Sequence, residues 1–150
     1  MARILCLDVG EKRTGMAVSD ETGTIAQGLD TVEHDNPKQL LEEVRRLVLE
    51  LGVERVVVGL PVSLSGNPTA RSEAIRRFSE RLGRVTRVPV ELFEEDLSTA
   101  RANEVLEETY GGPRHRVRRA STGLARKRRQ AVDRIAATII LEDYLAAREG

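Results

Sequence analysis

Apolar residues fill Ile4-Leu5-Cys6-Leu7 with no helical period, and the run ends on Asp8-Val9-Gly10. An unbroken apolar stretch of this length reads as a strand buried on both faces. After Gly10 a tight connection, Glu11-Lys12-Arg13-Thr14-Gly15, leads to a second short strand at Met16-Ala17-Val18-Ser19. Asp20-Glu21-Thr22-Gly23 is turn-forming, and Thr24 to Val32 gives a third strand, so the first three form an antiparallel meander.

The period then changes from two to 3.6. Asn36-Pro37 supplies a cap and a first-turn proline, Leu40, Leu41, Val44, Leu47, Val48 and Leu51 share one helical face, and Gly52 ends the run. Arg55-Val56-Val57-Val58-Gly59 is a fourth strand. A polar loop with Ser63, Ser65, Gly66, Asn67 and Pro68 leads to a helix carrying Ala74, Ile75, Phe78 and Leu82, stopped at Gly83. Val88 to Phe93 is a fifth strand, and Pro89 suits it to the edge of a sheet. Ser98 can cap a further helix through Ala102, Val105, Leu106 and Thr109, and a last helix covers roughly Lys127 to Ala147.

Strands alternating with helices require parallel pairing through right-handed crossovers. The expected fold is α/β, a single domain over residues 1–150 with a five-stranded mixed sheet and flanking helices. With strands 1, 4 and 5 parallel, Asp8, Gly59 and Glu95 come to one edge of the sheet, where open α/β sheets bind ligands. On the last helix Asp133, Ala137, Ile140, Leu141 and Tyr144 fall on one stripe, which aims Asp133 at the same edge. The plainer alternative for Asp133 is an ion pair with Arg129 one turn earlier, and for Asp8 a turn cap.

Composition narrows the chemistry. Equal numbers of cationic and anionic side chains give zero net charge, so overall charge points to no polyanionic partner. Charge distribution does: Arg114 to Arg129 holds eight lysines and arginines and no acid, and residues 113–127 read as a mobile basic loop. With two Phe, two Tyr and no Trp, a stacking platform for bases is not expected. The single Cys6 excludes an internal disulfide, and no run has membrane-spanning length. The first apolar run lacks a basic leader, so a cytoplasmic protein with no membrane partner is expected. Three carboxylates without histidine or cysteine suit a hard cation with oxygen ligands, and Mg²⁺ fits best. His34 and His115 lie in a loop and in the basic segment, which argues against zinc.

The stretch Asp8-Val9-Gly10-Glu11-Lys12-Arg13-Thr14-Gly15-Met16-Ala17-Val18-Ser19-Asp20 closely resembles the opening motif of the YqgF family of ribonuclease-H-like nucleases. That family is also known as Holliday-junction-resolvase-like proteins and pre-16S rRNA nucleases. Val57-Val58-Gly59-Leu60-Pro61 is similar to its second motif, Glu94-Glu95-Asp96-Leu97-Ser98-Thr99 to its third, and Val132-Asp133 with the Ala-rich helix to its last. The resemblance implies a ribonuclease-H-like fold in which Asp8, Glu95 and Asp133 are the catalytic, metal-binding acids. It further implies one or two Mg²⁺ or Mn²⁺ ions and phosphodiester hydrolysis. Lys12, Arg13, Arg114, Arg116, Arg118 and Arg119 would hold backbone phosphates. Asp96 stands where the family has arginine, and Ser65 where it has an acid, so both contacts differ from the family pattern.

The resemblance favours RNA as substrate, in 5′-end maturation of pre-16S rRNA beside the small ribosomal subunit. Resolution of four-way DNA junctions and a ribosome-maturation factor with little catalysis are the alternatives. An actin-like ATPase also opens on Asp-x-Gly but needs two such domains. No apolar stripe is left over for a partner, which favours a monomer over a homodimer.

Overall fold

The computed structural model describes residues 3–61, 69–95 and 122–149, without the side chains of 61, 95, 122–132 and 149. The expected helix after Ser98, the contacts of Ser65 and Asp96, and Arg114, Arg116, Arg118 and Arg119 lie outside the described residues.

Five strands and three described helices follow in the order β1 (Arg3–Val9), β2 (Arg13–Ser19), β3 (Ala26–Glu33), α1 (Pro37–Leu51), β4 (Val53–Pro61), α2 (Ala70–Thr86), β5 (Val90–Glu95) and α3 (Thr122–Glu149). The sheet order is β3-β2-β1-β4-β5. The meander pairs antiparallel, and β4 and β5 add parallel to β1, as the crossover argument requires. β5 is the edge, with Pro89 just before it.

Strand alternation divides the core into two layers. Leu5, Leu7, Met16, Val18, Val56, Val58 and Leu60 face α1 and α2, which contribute Leu40, Leu41, Val44, Val48, Ile75, Phe78 and Leu82. Ile4, Cys6, Ala17 and Val57 face the opposite way, against Ala137, Ile140, Leu141, Tyr144 and Leu145 of α3. Each fully buried Leu or Ile contributes about 1.5–3 kcal/mol. The same alternation puts Asp8 on the α3 side. Small residues at Cys6 and Ala17 let the helix approach closely there.

Local signals set the helix ends. Asn36 accepts a hydrogen bond from the Gln39 amide, and Gly52 closes α1 in the left-handed region at φ 64°. Thr69 and Ser72 form a reciprocal capping box at the start of α2. Three boundaries differ from the sequence reading. Helix α2 passes through Gly83 to Thr86, because Arg87 takes the left-handed cap and donates its amide to Gly83 O. Strand β2 starts at Arg13, so Gly15 is a strand residue and not part of the connection. Helix α3 starts at Thr122, so residues 122–127 of the expected mobile loop are helical. Leu124, Ala125, Arg126 and Lys127 are good helix formers, but they are too short a run to mark a stripe.

Among the described residues no helix is long and apolar enough to cross a membrane.

Candidate active site

Asp8 sits one residue before the end of β1, on the sheet face covered by α3, and pairs in register with Gly15 of β2. A Cβ at Gly15 would stand 2.1 Å from the carbonyl oxygen of Asp133, 2.7 Å from its carbonyl carbon and 3.2 Å from its Cβ. The helix backbone at Asp133 therefore rests directly on Gly15, beside Asp8. Residues far apart in sequence meet because position 15 has no side chain.

The electrostatics agree with this proximity. Burial pushes the Asp8 carboxyl up from 3.8 to about 6, the Asp133 charge adds to the rise, and Arg71 pulls it back down. Asp133 is held on its other side, where Arg13 donates from Nε to Oδ2 at 2.8 Å. Both groups of that ion pair are partly shielded, at 35% and 21% side-chain exposure, so it exceeds an open surface pair in worth. Helix α3 thus presents Asp133 to Arg13 of β2, while the side chain of Arg129 lies outside the described residues.

A cleft of about 410 Å³ opens over the pair, lined by Asp8, Glu11, Lys12, Arg13, Arg71 and Asp133 together with the Val9-Gly10 backbone. Arg71 reaches across it from the first turn of α2 and donates from Nη2 to Val9 O at 2.7 Å. The turn bearing Lys12 is fastened from behind, where the His34 amide donates to Lys12 O at 2.9 Å. His34 itself is 7% exposed, and its Nε2 lies 2.8 Å from Thr14 Oγ1. Burial lowers its pKa below the ordinary value, outweighing the opposite pull of Asp35.

The structure therefore brings together Asp8, Asp133, Lys12 and Arg13. Glu95 is the last residue of β5, paired with Pro61, while Phe93 two residues earlier pairs with Gly59. Strand alternation places position 95 on the same face as Glu91 and Phe93, whose contacts with Tyr144 of α3 identify it as the α3 side. Among the described side chains no three acids, histidines or cysteines form a group able to hold an ion, and the described part of the site is the Asp8–Asp133 pair.

This donor set suits a hard divalent ion: carboxylate oxygens, one of them on a buried acid whose ionisation burial and the Asp133 charge disfavour. Two participants escaped the sequence reading. Arg71 carries no motif that singles it out in the sequence. Its signal was its place: a cation in the first turn opposes the helix dipole and calls for another partner. Gly15 had no signal in the sequence alone, since its neighbour arrives from the far end of the chain.

Comparisons with known proteins bear on this geometry. The family model RuvX, described as Holliday junction resolvase, matches residues 2–147. A protein of Chloroflexus aggregans named "Putative pre-16S rRNA nuclease" is 40% identical over 145 residues, covering 97% of this chain and 94% of that one. A protein of the same name from Thermoanaerobacter pseudethanolicus is 35% identical over 147 residues, with 98% of each chain covered. Among solved structures, the Fowlpox virus resolvase with Holliday junction DNA superposes with TM-score 0.59 at 14% identity, covering 99% of both chains. The RuvC of T. thermophilus with a Holliday junction substrate gives 0.56 at 14%, covering 100% of this chain and 97% of that one. Those likenesses establish the resolvase-like, ribonuclease-H-like fold.

Proposed function

The chain belongs to the RuvX family, and on that premise we propose that it is a divalent-metal-dependent nuclease acting on the 16S ribosomal RNA precursor. The observation that carries the chemistry is the pair Asp8–Asp133, pressed together across Gly15 in a cleft lined by Lys12, Arg13 and Arg71. Acids that repel one another inside a ring of cations make a site for a cation and a phosphate together.

Asp8 and Asp133 would hold the ion, and Glu95, at the end of β5, would be the third ligand. When bound, a divalent ion supplies Lewis-acid stabilisation of charge on the phosphate and activation of water for attack. Arg13 Nε fixes the Asp133 carboxylate through Oδ2. Arg71 anchors the end of β1 through Val9 O and keeps further guanidinium donors for a phosphate oxygen. Lys12, on a turn pinned by the His34 amide, adds a second phosphate contact. The basic residues Arg114, Arg116, Arg118 and Arg119 extend this grip along the strand by charge alone, without reading sequence.

The names of the relatives favour RNA, and the description of the family favours a four-way DNA junction as the second reading. Cleavage of matched substrates (16S rRNA precursor, single-stranded RNA, four-way junction), with and without Mg²⁺ or Mn²⁺, decides between them. The expected result is metal-dependent cutting of the RNA substrates and little paired nicking of the junction. Symmetric nicks in the junction with intact RNA would replace the RNA reading. Tight binding with no cleavage of any substrate would make the protein a maturation factor.

A further inference from the structure

A second cavity adjoins the acidic cleft and shares a wall with it. Its volume is about 490 Å³, within the range of roughly 300–1,000 Å³ common to small-molecule sites. Pro37 and Leu40 of α1 and Ala74, Ile75 and Phe78 of α2 give it apolar sides. Val9, Gly10, Glu11 and Arg71 line both spaces and form the partition between them. Away from that partition, polar groups lie along one margin only, at His34, Asp35 and Asn36. Of these, Asn36 already serves as the α1 cap. His34 is 7% exposed, and its Nδ1, itself closed off from solvent, has no hydrogen-bond partner among the described residues.

We propose that this cavity takes one unpaired nucleobase of the strand being cut, the base next to the phosphate held in the acidic cleft. The inference rests on the nuclease reading for what lies in the cleft, and on the cavity's own chemistry for what lies beyond it. A strand whose phosphate sits against Arg71 must place its neighbouring base on one side of that side chain or the other. The side away from Asp8 and Asp133 is an apolar slot with a polar margin, matching a flat heterocycle with hydrogen-bonding edges. Asp35 offers a carboxylate at that margin, so bases with an exocyclic amino donor (guanine, adenine, cytosine) are preferred over uracil, which has only its N3–H. One base laid against the apolar sides needs no aromatic platform. A paired base cannot enter, so the cavity selects single-stranded or flexible segments over duplex.

The test needs no metal and no cleavage. Nucleoside 5′-monophosphates of the four bases, and ribose 5-phosphate as the base-free control, are titrated into the labelled full chain while the methyl signals of Leu40, Ala70, Ala74 and Ile75 are followed by NMR. The nucleotides should move these signals and bind about tenfold more tightly than ribose 5-phosphate, with uridine monophosphate the weakest. Ala74 is exposed on α2, so Ala74→Trp fills the mouth of the cavity without touching the core. It should abolish the base-dependent gain and leave ribose 5-phosphate binding as it was; Ala74→Leu repeats the test with a smaller side chain. The proposal is overturned if nucleotides and ribose 5-phosphate bind alike, if the methyl signals stay still, or if the filled variants bind nucleotides like wild type. A protein that shifts these methyls yet cuts nothing with Mg²⁺ would refute the nuclease reading and leave the base pocket standing.

Discussion

Gly15→Ala is the perturbation that reaches the catalytic geometry while removing no charged group. The added methyl would sit 2.1 Å from the Asp133 carbonyl oxygen, a backbone atom that cannot swing aside. Restoring an ordinary contact requires α3 to move away from β2 by about 1 Å or more at Asp133, and overpacking of this kind costs about 1–3 kcal/mol. A displacement of about 1 Å at a catalytic group costs on the order of 100-fold in rate, so activity should fall much further than stability. The comparison is Gly52→Ala, at the α1 cap, where φ is 64° and nothing lies within 4 Å. That change strains one residue by about 1–2 kcal/mol and touches no part of the site. Urea unfolding and single-turnover cleavage with Mg²⁺ on both variants give the two quantities. Equal stability loss with activity lost only in Gly15→Ala is the expected pattern. Wild-type cleavage by Gly15→Ala, or equal activity loss in both variants, would refute the claim that position 15 sets the Asp8–Asp133 spacing.

Asp8→Asn should preserve the fold and lower metal-dependent cleavage by roughly a hundred- to ten-thousand-fold, a loss of several kcal/mol of charge stabilisation. The metal-free protein should also show the Asp8 titration: its carboxyl is raised from 3.8 to about 6, so the fold binds a proton that the unfolded chain releases. Stability therefore falls as pH rises from about 4 to about 6, by about 2–3 kcal/mol, and urea midpoints across that window should show a slope that Asp8→Asn removes. Replacing Arg116, Arg118 and Arg119 with Ala should weaken binding of all RNA sequences alike and flatten its salt dependence by up to about one unit of slope for each phosphate no longer held. An unchanged salt slope would make that segment a solvated loop.

Much of the fold was legible because period and punctuation agree. Turn residues separate the first three strands, Pro89 marks the edge, and the α3 stripe from Asp133 to Tyr144 packs as its spacing requires. Position 83 misled because glycine is a frequent helix terminator, yet Arg87 can take the left-handed cap at φ 62°. The start of α3 was hidden because Thr122 and Gly123 are weak helix formers and the basic run from Arg126 to Arg129 adds no apolar stripe. At the site, the pattern pointed to the meeting of Asp8 and Asp133 but not to what holds them. The Arg13–Asp133 ion pair joins residues 120 positions apart, a distance along the chain that no local rule reaches. Arg71 was readable in principle, as a cation placed against its own helix dipole.

The most direct test of the site is the binding of Mn²⁺, followed by electron paramagnetic resonance, to the wild-type protein and to Asp8→Asn, Glu95→Gln and Asp133→Asn. Three acids sharing one ion predict that wild type binds and that each amide weakens binding at least about tenfold, in step with its loss of cleavage. Wild-type Mn²⁺ affinity in any of the three, with cleavage intact, would remove that residue from the site.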